Sequence, residues 1–303
     1  MVQAQPQRKR RRNPDAGIGY LFIAPSIIGF SIFVIYPLVT SIYYALTQWD
    51  AVSAPIFIGL KNFIFMFQSD PSFWPSLKAT GLFVLMSVPT GLILGLALAM
   101  LLNRKIPGIR MFRTIFYLPV VLPAVATLTL WKFIFDPRFG FANELLTYLH
   151  LPTSLWLGSY SMALPSLVII GLWGVGGTMI IFLAGLQAVP QELYEAARLD
   201  GGGNWTILTR VTLPLISPIL FLQLVMHIIG SMQAFVQPAV LTAGGPGFST
   251  DLFMYNIWQN AFQNQQFGFA EAQVWVLFIA IILITVFTFR LSSMWVYTEE
   301  GTE

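Results

Sequence analysis

Residues Glu192–Pro218 read ELYEAARLDGGGNWTILTRVTLPLISP, a polar and glycine-interrupted stretch within a strongly apolar chain. Of the 303 residues, 56% are hydrophobic and 10% are charged, and the mean hydropathy is +0.72. Soluble domains carry about 25% charged residues, and an uncharged stretch of about 18 residues is long enough to cross a hydrocarbon core of about 30 Å. The composition therefore predicts an all-α integral membrane protein, in which the quoted stretch is a loop between two spans.

Six transmembrane helices are predicted from the apolar stretches. They cover Gly17–Thr47, Ser76–Asn103, Arg113–Phe135, Ser159–Ala188, Leu213–Ala243 and Ala272–Tyr297. Several contain proline, which the interior of a helix bundle tolerates because neighbouring groups satisfy the freed carbonyls. The third span contains LPVVLP at 118–123, so we expect it to be kinked there.

The chain divides into four predicted segments. A basic cytoplasmic tail covers residues 1–16, and the first transmembrane helix with an outer loop covers 17–75. A five-helix core covers 76–297 and contains the polar loop at 190–214, and a second cytoplasmic tail covers 298–303.

The positions of lysine and arginine indicate the orientation in the membrane. Only four of the 16 fall on the side opposite the N-terminus, at Lys61, Lys78, Lys132 and Arg138. Because cytoplasmic loops are enriched in these residues, we expect both termini in the cytoplasm. The run RKRRR at 8–12 is interpreted as a topology anchor rather than a nucleic-acid patch, so no nucleic-acid partner is expected. No cleaved signal peptide is recognisable.

The sequence lacks the residues and motifs that common catalytic, nucleotide-binding and metal-binding sites require. There is no cysteine and no phosphate-binding G-x-x-x-x-G-K-[ST] loop, and the two histidines, His150 and His227, form no HExxH motif. We therefore expect no catalytic residue, no metal and no cofactor in this chain. All 13 carboxylates, including Glu271, are assigned to loops or tails. A self-powered carrier normally needs an ionisable group inside the membrane, so a stand-alone carrier or channel for a polar solute is the weaker alternative.

Two short helices are predicted within the polar loop. The first begins after Pro190, whose fixed φ suits a helix start, and ends at the glycines 201–203, which accept a left-handed conformation. The second covers NWTILTRVTL at 204–213 and leads into the fifth span. The small side chains of Ala196 and Ala197 allow another surface to approach closely, so this loop is suited to docking into a groove of a cytosolic partner.

This loop resembles the EAA loop of permease subunits of bacterial ABC importers. The family pattern has E-A-A, a D-G pair three residues further on, and L-P about a dozen residues later. The matching residues are Glu195, Ala196, Ala197, Asp200, Gly201, Leu213 and Pro214, with Val211 as the apolar residue that the pattern has before L-P. The family usually has alanine after the D-G pair; Gly202 departs from this pattern, and we expect it to loosen the turn slightly.

Other segments resemble the sugar-uptake branch of that family, which contains the maltose and glycerol-3-phosphate permeases. They are YPLVTSIYYALTQWD at 36–50, FIGLKNF at 57–63 and LTAGGPGFSTDLFMYNIWQNAFQNQQFGFAEA at 241–272. Within the last segment, GGPG is interpreted as a turn between spans that provides shape and no chemistry. The resemblance covers nearly the whole chain, from Tyr20 to Arg290.

The resemblance implies a type I importer fold, a mechanism and a set of partners. In the family, the EAA helix is a coupling helix that inserts into a cleft of an ATPase subunit, which binds ATP and Mg; here it would be Glu195 to Gly201. A second homologous permease, a dimer of the ATPase, an extracytoplasmic solute-binding protein and a carbohydrate substrate would complete the importer, within the lipid of a bacterial plasma membrane. An importer of glycerol 3-phosphate is the alternative within this branch.

The fifth and fourth spans contain candidate substrate-pathway residues. At about 100° per residue, one face of the fifth span collects the polar side chains Gln223, His227, Ser231, Gln233 and Gln237. In the fourth span, Trp173 offers a ring on which a sugar could stack. Gly177 and the neighbouring glycines permit close helix approach or local unwinding.

The polar face of the fifth span has two interpretations. Neutral donors and acceptors suit an uncharged, hydroxyl-rich solute, whereas a phosphate site would be expected to contain Arg or Lys. The alternative is that these side chains join helices by hydrogen bonds and that Trp173 is an ordinary packed aromatic residue. His227 is expected to be a neutral hydrogen-bonding group rather than a proton carrier.

Overall fold

The computed structural model describes residues 16–104 and 106–297. Most of the predicted basic tail and all of the predicted C-terminal tail lie outside these ranges.

The described residues are almost entirely helical. The α-helices are α1 (Ala16–Phe30), α2 (Tyr36–Ala45), α3 (Lys61–Gln68), α4 (Phe73–Leu102), α5 (Ile109–Val121), α6 (Ala124–Ile134), α7 (Phe141–Tyr148), α8 (Ala163–Leu172), α9 (Gly176–Ala188), α10 (Gln191–Leu199), α11 (Asn204–Ile207), α12 (Leu213–Leu215), α13 (Ser217–Met232), α14 (Val236–Leu241), α15 (Phe253–Trp258) and α16 (Phe267–Ser292). Shorter π-helical and 3₁₀ turns cover Ser31–Ile35, Trp156–Gly158, Leu208–Thr212 and Gln259–Gln263. The strands β1 (Thr47–Gln48) and β2 (Ile56–Phe57) pair antiparallel, with Thr47 opposite Phe57.

Six spans follow from these helices, and three of them are unbroken. Leu21–Ala45, Phe73–Leu102 and Phe267–Ser292 are each long and apolar enough to cross a membrane. The other three are bent helix pairs, with angles of 99° between α5 and α6, 48° between α8 and α9, and 70° between Asn204–Leu215 and α13. The predicted all-α membrane fold is confirmed, but half of its spans are broken helices.

The bend in the third span coincides with its two prolines. α5 contains Pro119 and ends at Val121, Leu122 has an extended conformation (φ −73°, ψ 145°), and α6 begins directly after Pro123. Proline lacks a backbone N–H and pushes the preceding residue out of the helical region. The expected kink is confirmed, and at 99° it divides the span into two helices.

The fifth span differs most from its predicted bounds of Leu213–Ala243. Leu213 belongs to α12, and the long helix α13 covers only Ser217–Met232 before a break and the separate helix α14. Pro238 lies in the first turn of α14, where its missing N–H needs no partner, whereas in a continuous helix it would clash with the carbonyl four residues earlier. The prediction of one continuous helix was therefore wrong.

The sixth and second spans begin earlier than predicted. α16 begins at Phe267, five residues before the predicted Ala272, and α4 begins at Phe73 rather than Ser76. Glu271, which was assigned to the outer loop, consequently lies in the second turn of α16. The assignment of every carboxylate to loops or tails was wrong at this residue.

The long helix α4 lies at the centre of the bundle, in contact with α8, α9, α13 and α15. One end of α4 packs in a buried apolar cluster with Phe73 and Phe253, and the other end packs in a cluster with Ala99 and Phe182. The middle of α4, between these two clusters, faces a cavity.

Candidate translocation cavity and coupling helix

A cavity of about 810 Å³ lies between α4, the α8–α9 pair and the α13–α14 segment. Six of the seven predicted substrate-pathway residues line it. They are Gly177, Gln223, His227, Ser231, Gln233 and Gln237. The structure therefore brings together side chains from two predicted spans, as the sequence pattern suggested.

The seventh residue, Trp173, is not part of this lining. Its side chain is 49% exposed and lies edge-on to Trp131, with the ring centroids 5.6 Å apart. This is the ordinary aromatic packing that was the alternative for Trp173. Trp173 lies at the break between α8 and α9. The span is locally unwound there, beside the glycines, and this is one of the two roles expected of them.

The lining residues of the fifth span do not lie along one face of a single helix, because the helix is interrupted between α13 and α14. Gln233 follows the last residue of α13, and Gln237 lies on α14. A helical wheel that continues through residue 237 therefore describes the wrong geometry, although it selects residues that share the cavity. The change of direction at residues 233–235 returns the chain to the cavity.

Two hydrogen bonds cross the cavity wall. Thr178 Oγ1 lies 2.7 Å from His227 Nε2, and Ser87 Oγ lies 3.0 Å from Ser231 Oγ. Both Ser87 and Thr178 line the cavity, and neither was identified from the sequence, because isolated hydroxyls in apolar spans give no periodic pattern. His227 and Ser231 thus line the cavity and also join helices, so both interpretations of these two residues apply.

Gln237 differs from these paired residues. Its Oε1 atom is buried and has no hydrogen-bond partner among the described residues. Buried side-chain oxygens nearly always accept a hydrogen bond, so Gln237 offers an unused acceptor at the cavity. No lysine, arginine, aspartate or glutamate is among the lining residues, and this set of neutral groups can bind hydroxyls but provides no counter-charge for an ion.

The predicted coupling segment, Glu195 to Gly201, covers the second half of the exposed helix α10 and the cap that follows it. α10 begins directly after Pro190. None of its residues is buried. Gln191 Nε2 donates to Glu195 Oε1 at 2.7 Å on the outer face of the helix. Ala196 is exposed and Leu199 is 89% exposed, so an apolar surface with small side chains is presented away from the bundle.

The end of α10 is fixed by a glycine cap. Gly201 has φ +79° and donates its N–H to Arg198 O at 3.0 Å, and Gly202 donates to Ala197 O at 2.9 Å. This pair of bonds is the Schellman motif, which satisfies the last carbonyls of a helix. A Cβ at residue 202 would lie 2.6 Å from Ala197 O. Gly202 therefore permits a tight turn, and the expectation that it loosens the turn was wrong.

A buried polar network at the opposite end of the bundle was not predicted. Ser72 Oγ donates to Asp70 Oδ1 at 2.7 Å, and Asn256 Nδ2 donates to Ser72 Oγ and to Asp251 Oδ2 at 3.0 Å each. Asp251 is 3% exposed. Its burial, together with the nearby Asp70 charge, raises the pKa of the Asp251 carboxyl to about 6, although the Asn256 hydrogen bond opposes the shift.

The two remaining motifs have structural roles. Asn62 of FIGLKNF donates through Nδ2 to Ala45 O and Thr47 O at 2.9 Å each, and so ties α3 to the end of the first span. The GGPG segment forms the predicted turn, with a cis peptide bond between Gly245 and Pro246.

Known proteins match the chain over most of its length. Residues 87–296 match the family described as the binding-protein-dependent transport system inner membrane component. The chain belongs to this family. The permease is 37% identical to the probable ABC transporter permease protein YesP of Bacillus subtilis, over 98% of this chain and 97% of YesP. It is 35% identical to the probable starch degradation products transport system permease protein AmyD of Thermoanaerobacterium thermosulfurigenes, over 89% of this chain and 92% of AmyD.

The fold is also shared with a solved transporter. A chain of the bacterial alginate ABC transporter, crystallised with an alginate pentasaccharide-bound periplasmic protein, superposes with a TM-score of 0.79 at 23% identity, covering 91% of the permease and 94% of that chain. The permease is therefore a multi-pass membrane protein with the ABC importer permease fold. The family assigned from the EAA loop is confirmed.

Proposed function

We propose that this permease is the transmembrane subunit of an ATP-driven importer, and that it translocates a mono- or oligosaccharide delivered by a solute-binding protein. The observation that carries the proposal is the cavity of about 810 Å³, which is lined by neutral hydrogen-bonding groups from three spans. The relative named for starch degradation products supports the same class of solute.

The chemistry of the cavity favours a sugar over a phosphate ester. Amides and hydroxyls can both donate to and accept from sugar hydroxyls. A phosphate group would require charged donors such as arginine or lysine, and the lining contains none. Glycerol 3-phosphate is therefore the weaker alternative for the part of the pathway that this subunit provides.

The proposed motor is a partner ATPase dimer that docks on α10. The exposed Ala196 and Leu199 suit insertion into an apolar cleft, and Glu195, Ala197, Asp200 and Gly201 complete the coupling segment. ATP and Mg would bind in the ATPase, so the permease itself would catalyse no reaction and hold no cofactor or metal. Movement of α10 would be transmitted through α9 and α13, which flank the loop, and would open the cavity alternately to the two sides.

The remaining partners and the orientation belong to the same proposal. A second homologous permease would close the open side of the cavity, and the solute-binding protein would dock at the end of the bundle opposite α10. Both termini would lie in the cytoplasm of a bacterial cell, on the same side as Arg198 and Arg210 of the EAA loop. Lys61, Lys78 and Lys132 would lie on the outer side.

A pull-down with a matched pair of variants tests this proposal. A C-terminally tagged permease, extracted in mild detergent from its native membrane, should co-purify an ATPase and a second permease. Ala196→Trp places a bulky ring on the exposed surface of α10 and should reduce the amount of co-purified ATPase at least tenfold. Ala54→Trp, at an exposed site of the predicted outer loop, should leave that amount unchanged. Recovery of the permease alone, still able to move solute without ATP, would establish a stand-alone carrier instead.

A further inference from the structure

A second cavity, of about 690 Å³, lies at the end of α4 and α8 that is opposite α10. Its walls come from the first turns of α4, from Tyr160 and Ser161 before α8, and from Phe248 and Ser249 of the loop that follows α14. It is separate from the translocation cavity and shares no lining residue with it.

The polar side chains that line this cavity are Lys78, Tyr160, Ser161 and Ser249. Lys78 is exposed and is the one charged residue in the lining. Ser249 Oγ is buried and has no hydrogen-bond partner among the described residues. The site therefore offers one positive charge and one unused hydroxyl to a ligand, and both suit a phosphate oxygen.

Two exposed aromatic residues line the same cavity as Lys78. Trp74 is 57% exposed and Tyr160 is 73% exposed. Tryptophan and tyrosine are enriched at the boundary between headgroups and hydrocarbon, and a lysine near a helix end extends its ammonium group towards that boundary. The aromatic rings and Lys78 thus place this end of the cavity at headgroup level.

The lining becomes apolar with depth. Leu82 and Met86 of α4 face Leu164 of α8. From Lys78 to Met86 the helix rises about 12 Å, at about 1.5 Å per residue, which compares with about 15 Å for one leaflet of a hydrocarbon core about 30 Å thick. The groove therefore has the depth of one leaflet, with a cationic end at the surface and an apolar end inside.

We propose that this groove binds one phospholipid of the outer leaflet. Its phosphate is held by Lys78 and Ser249, and one acyl chain lies along Leu82, Met86 and Leu164. A protein segment in the same place would have to bring its own anion to Lys78, whereas every phospholipid carries one beside its acyl chains. The proposed orientation decides only which leaflet supplies the lipid. Binding of the lipid does not depend on which solute is transported.

Native mass spectrometry of the purified permease with added phosphatidylglycerol tests the site. The wild-type protein should retain one lipid per copy after partial delipidation. Lys78→Gln should weaken this retention about fivefold, the effect of one basic residue near a membrane surface. Lys132→Gln removes an exposed lysine on the same side but outside the groove, and should leave retention unchanged. Equal retention by wild type and Lys78→Gln, or equal loss in both variants, would overturn the proposal.

A second measurement distinguishes lipid from a subunit contact. Because the chain has no cysteine, Leu82→Cys introduces a single thiol inside the groove. In the assembled transporter, a phosphatidylglycerol that carries a photoreactive group on its acyl chain should label the groove, and this thiol should form no cross-link to the second permease. A thiol that cross-links to the second permease in the complex would show that protein covers the groove, and would refute the lipid site without affecting the proposed importer function.

Discussion

Thr178 Oγ1 and His227 Nε2, 2.7 Å apart, join α9 to α13 at the wall of the translocation cavity. These two helices flank the loop that contains α10 on either side, so the bond joins the two helices to which the proposed coupling movement would be passed. The imidazole is also confined from α4, because a Cβ added at Gly91 would lie 3.2 Å from His227 Cε1. The hydrogen bond therefore helps to hold α9 against α13, the two helices through which the proposed coupling would act.

Removing this hydrogen bond should destabilise the permease modestly. Hydrogen bonds between membrane helices contribute about 0.6 kcal/mol on average and up to about 1.7 kcal/mol. Thr178→Val should therefore lower the free energy of unfolding by about 1 kcal/mol in detergent, and Thr178→Val combined with His227→Leu should cost less than the sum of the two single changes. Thr90→Val is the control, since within the described part of the chain the Thr90 hydroxyl bonds only to carbonyls of its own helix. Strictly additive effects in the double-mutant cycle would show that the two side chains do not interact.

Gln237 should determine affinity for the solute. Its Oε1 atom is buried without a partner, and a hydrogen bond gained from a sugar hydroxyl contributes about 1 kcal/mol, or about fivefold in affinity. Gln237→Leu should raise the half-saturating sugar concentration for uptake about fivefold and leave the amount of assembled transporter unchanged. Gln68→Leu, at an exposed site at the end of α3, is the matched control. Unchanged uptake kinetics in Gln237→Leu would remove this residue from the pathway.

Trp173 provides the complementary test, because the sequence placed it in the pathway and the structure places it against Trp131. Trp173→Phe preserves an aromatic ring at this packing position. We expect uptake kinetics within about twofold of wild type, since the ring does not line the cavity. A loss comparable to that of Gln237→Leu would restore a stacking role for Trp173 in another state of the transporter.

Local signals in the sequence predicted most of the helices, and signals between distant residues were missing. Pro190 and Gly201 define α10 because each acts on its own stretch of backbone. The pairing of Thr178 with His227 spans 49 residues, and that of Ser87 with Ser231 spans 144. No periodicity within one helix encodes such partners. The break after Met232 was missed for a related reason, since the apolar pattern continues across it while Pro238 favours a new helix start.

The glycines that follow α10 should differ in their tolerance of alanine: substitution should be harmful at Gly201 and harmless at Gly203. Gly201 has φ +79°, which costs a residue with a Cβ about 1 kcal/mol or more, whereas Gly203 has φ −73° and open space around it. Gly201→Ala should fray the end of α10 and reduce sugar-stimulated ATPase activity of the reconstituted transporter, and Gly203→Ala should behave like wild type. Amide hydrogen exchange across residues 191–203 would locate the change. Equal protection in both variants would contradict the role of the cap.

Stability should depend on pH through Asp251. Its pKa is raised to about 6 by burial, so the folded state binds a proton more tightly than the unfolded chain. The resulting stabilisation is fully present below about pH 4 and is lost as the pH rises through 6, by about 2 to 3 kcal/mol in total. Asp251→Asn keeps an acceptor for Asn256 and removes the ionisation. It should raise the thermal midpoint at pH 7.5 and flatten the dependence between pH 5 and pH 7.

Asp50→Asn is the control for this prediction, because its effect has the opposite sign. Asp50 is partly exposed. It accepts hydrogen bonds from the Ser53 N–H and hydroxyl at 2.7 Å each and from the Val52 N–H at 3.0 Å, which lowers its pKa to about 2. Any stabilisation from Asp50 is present above about pH 4 and disappears only as the pH falls through 2. The dependence between pH 5 and pH 7 should therefore persist in Asp50→Asn. If it persists equally in Asp251→Asn, another group titrates in that range and the Asp251 network does not control stability.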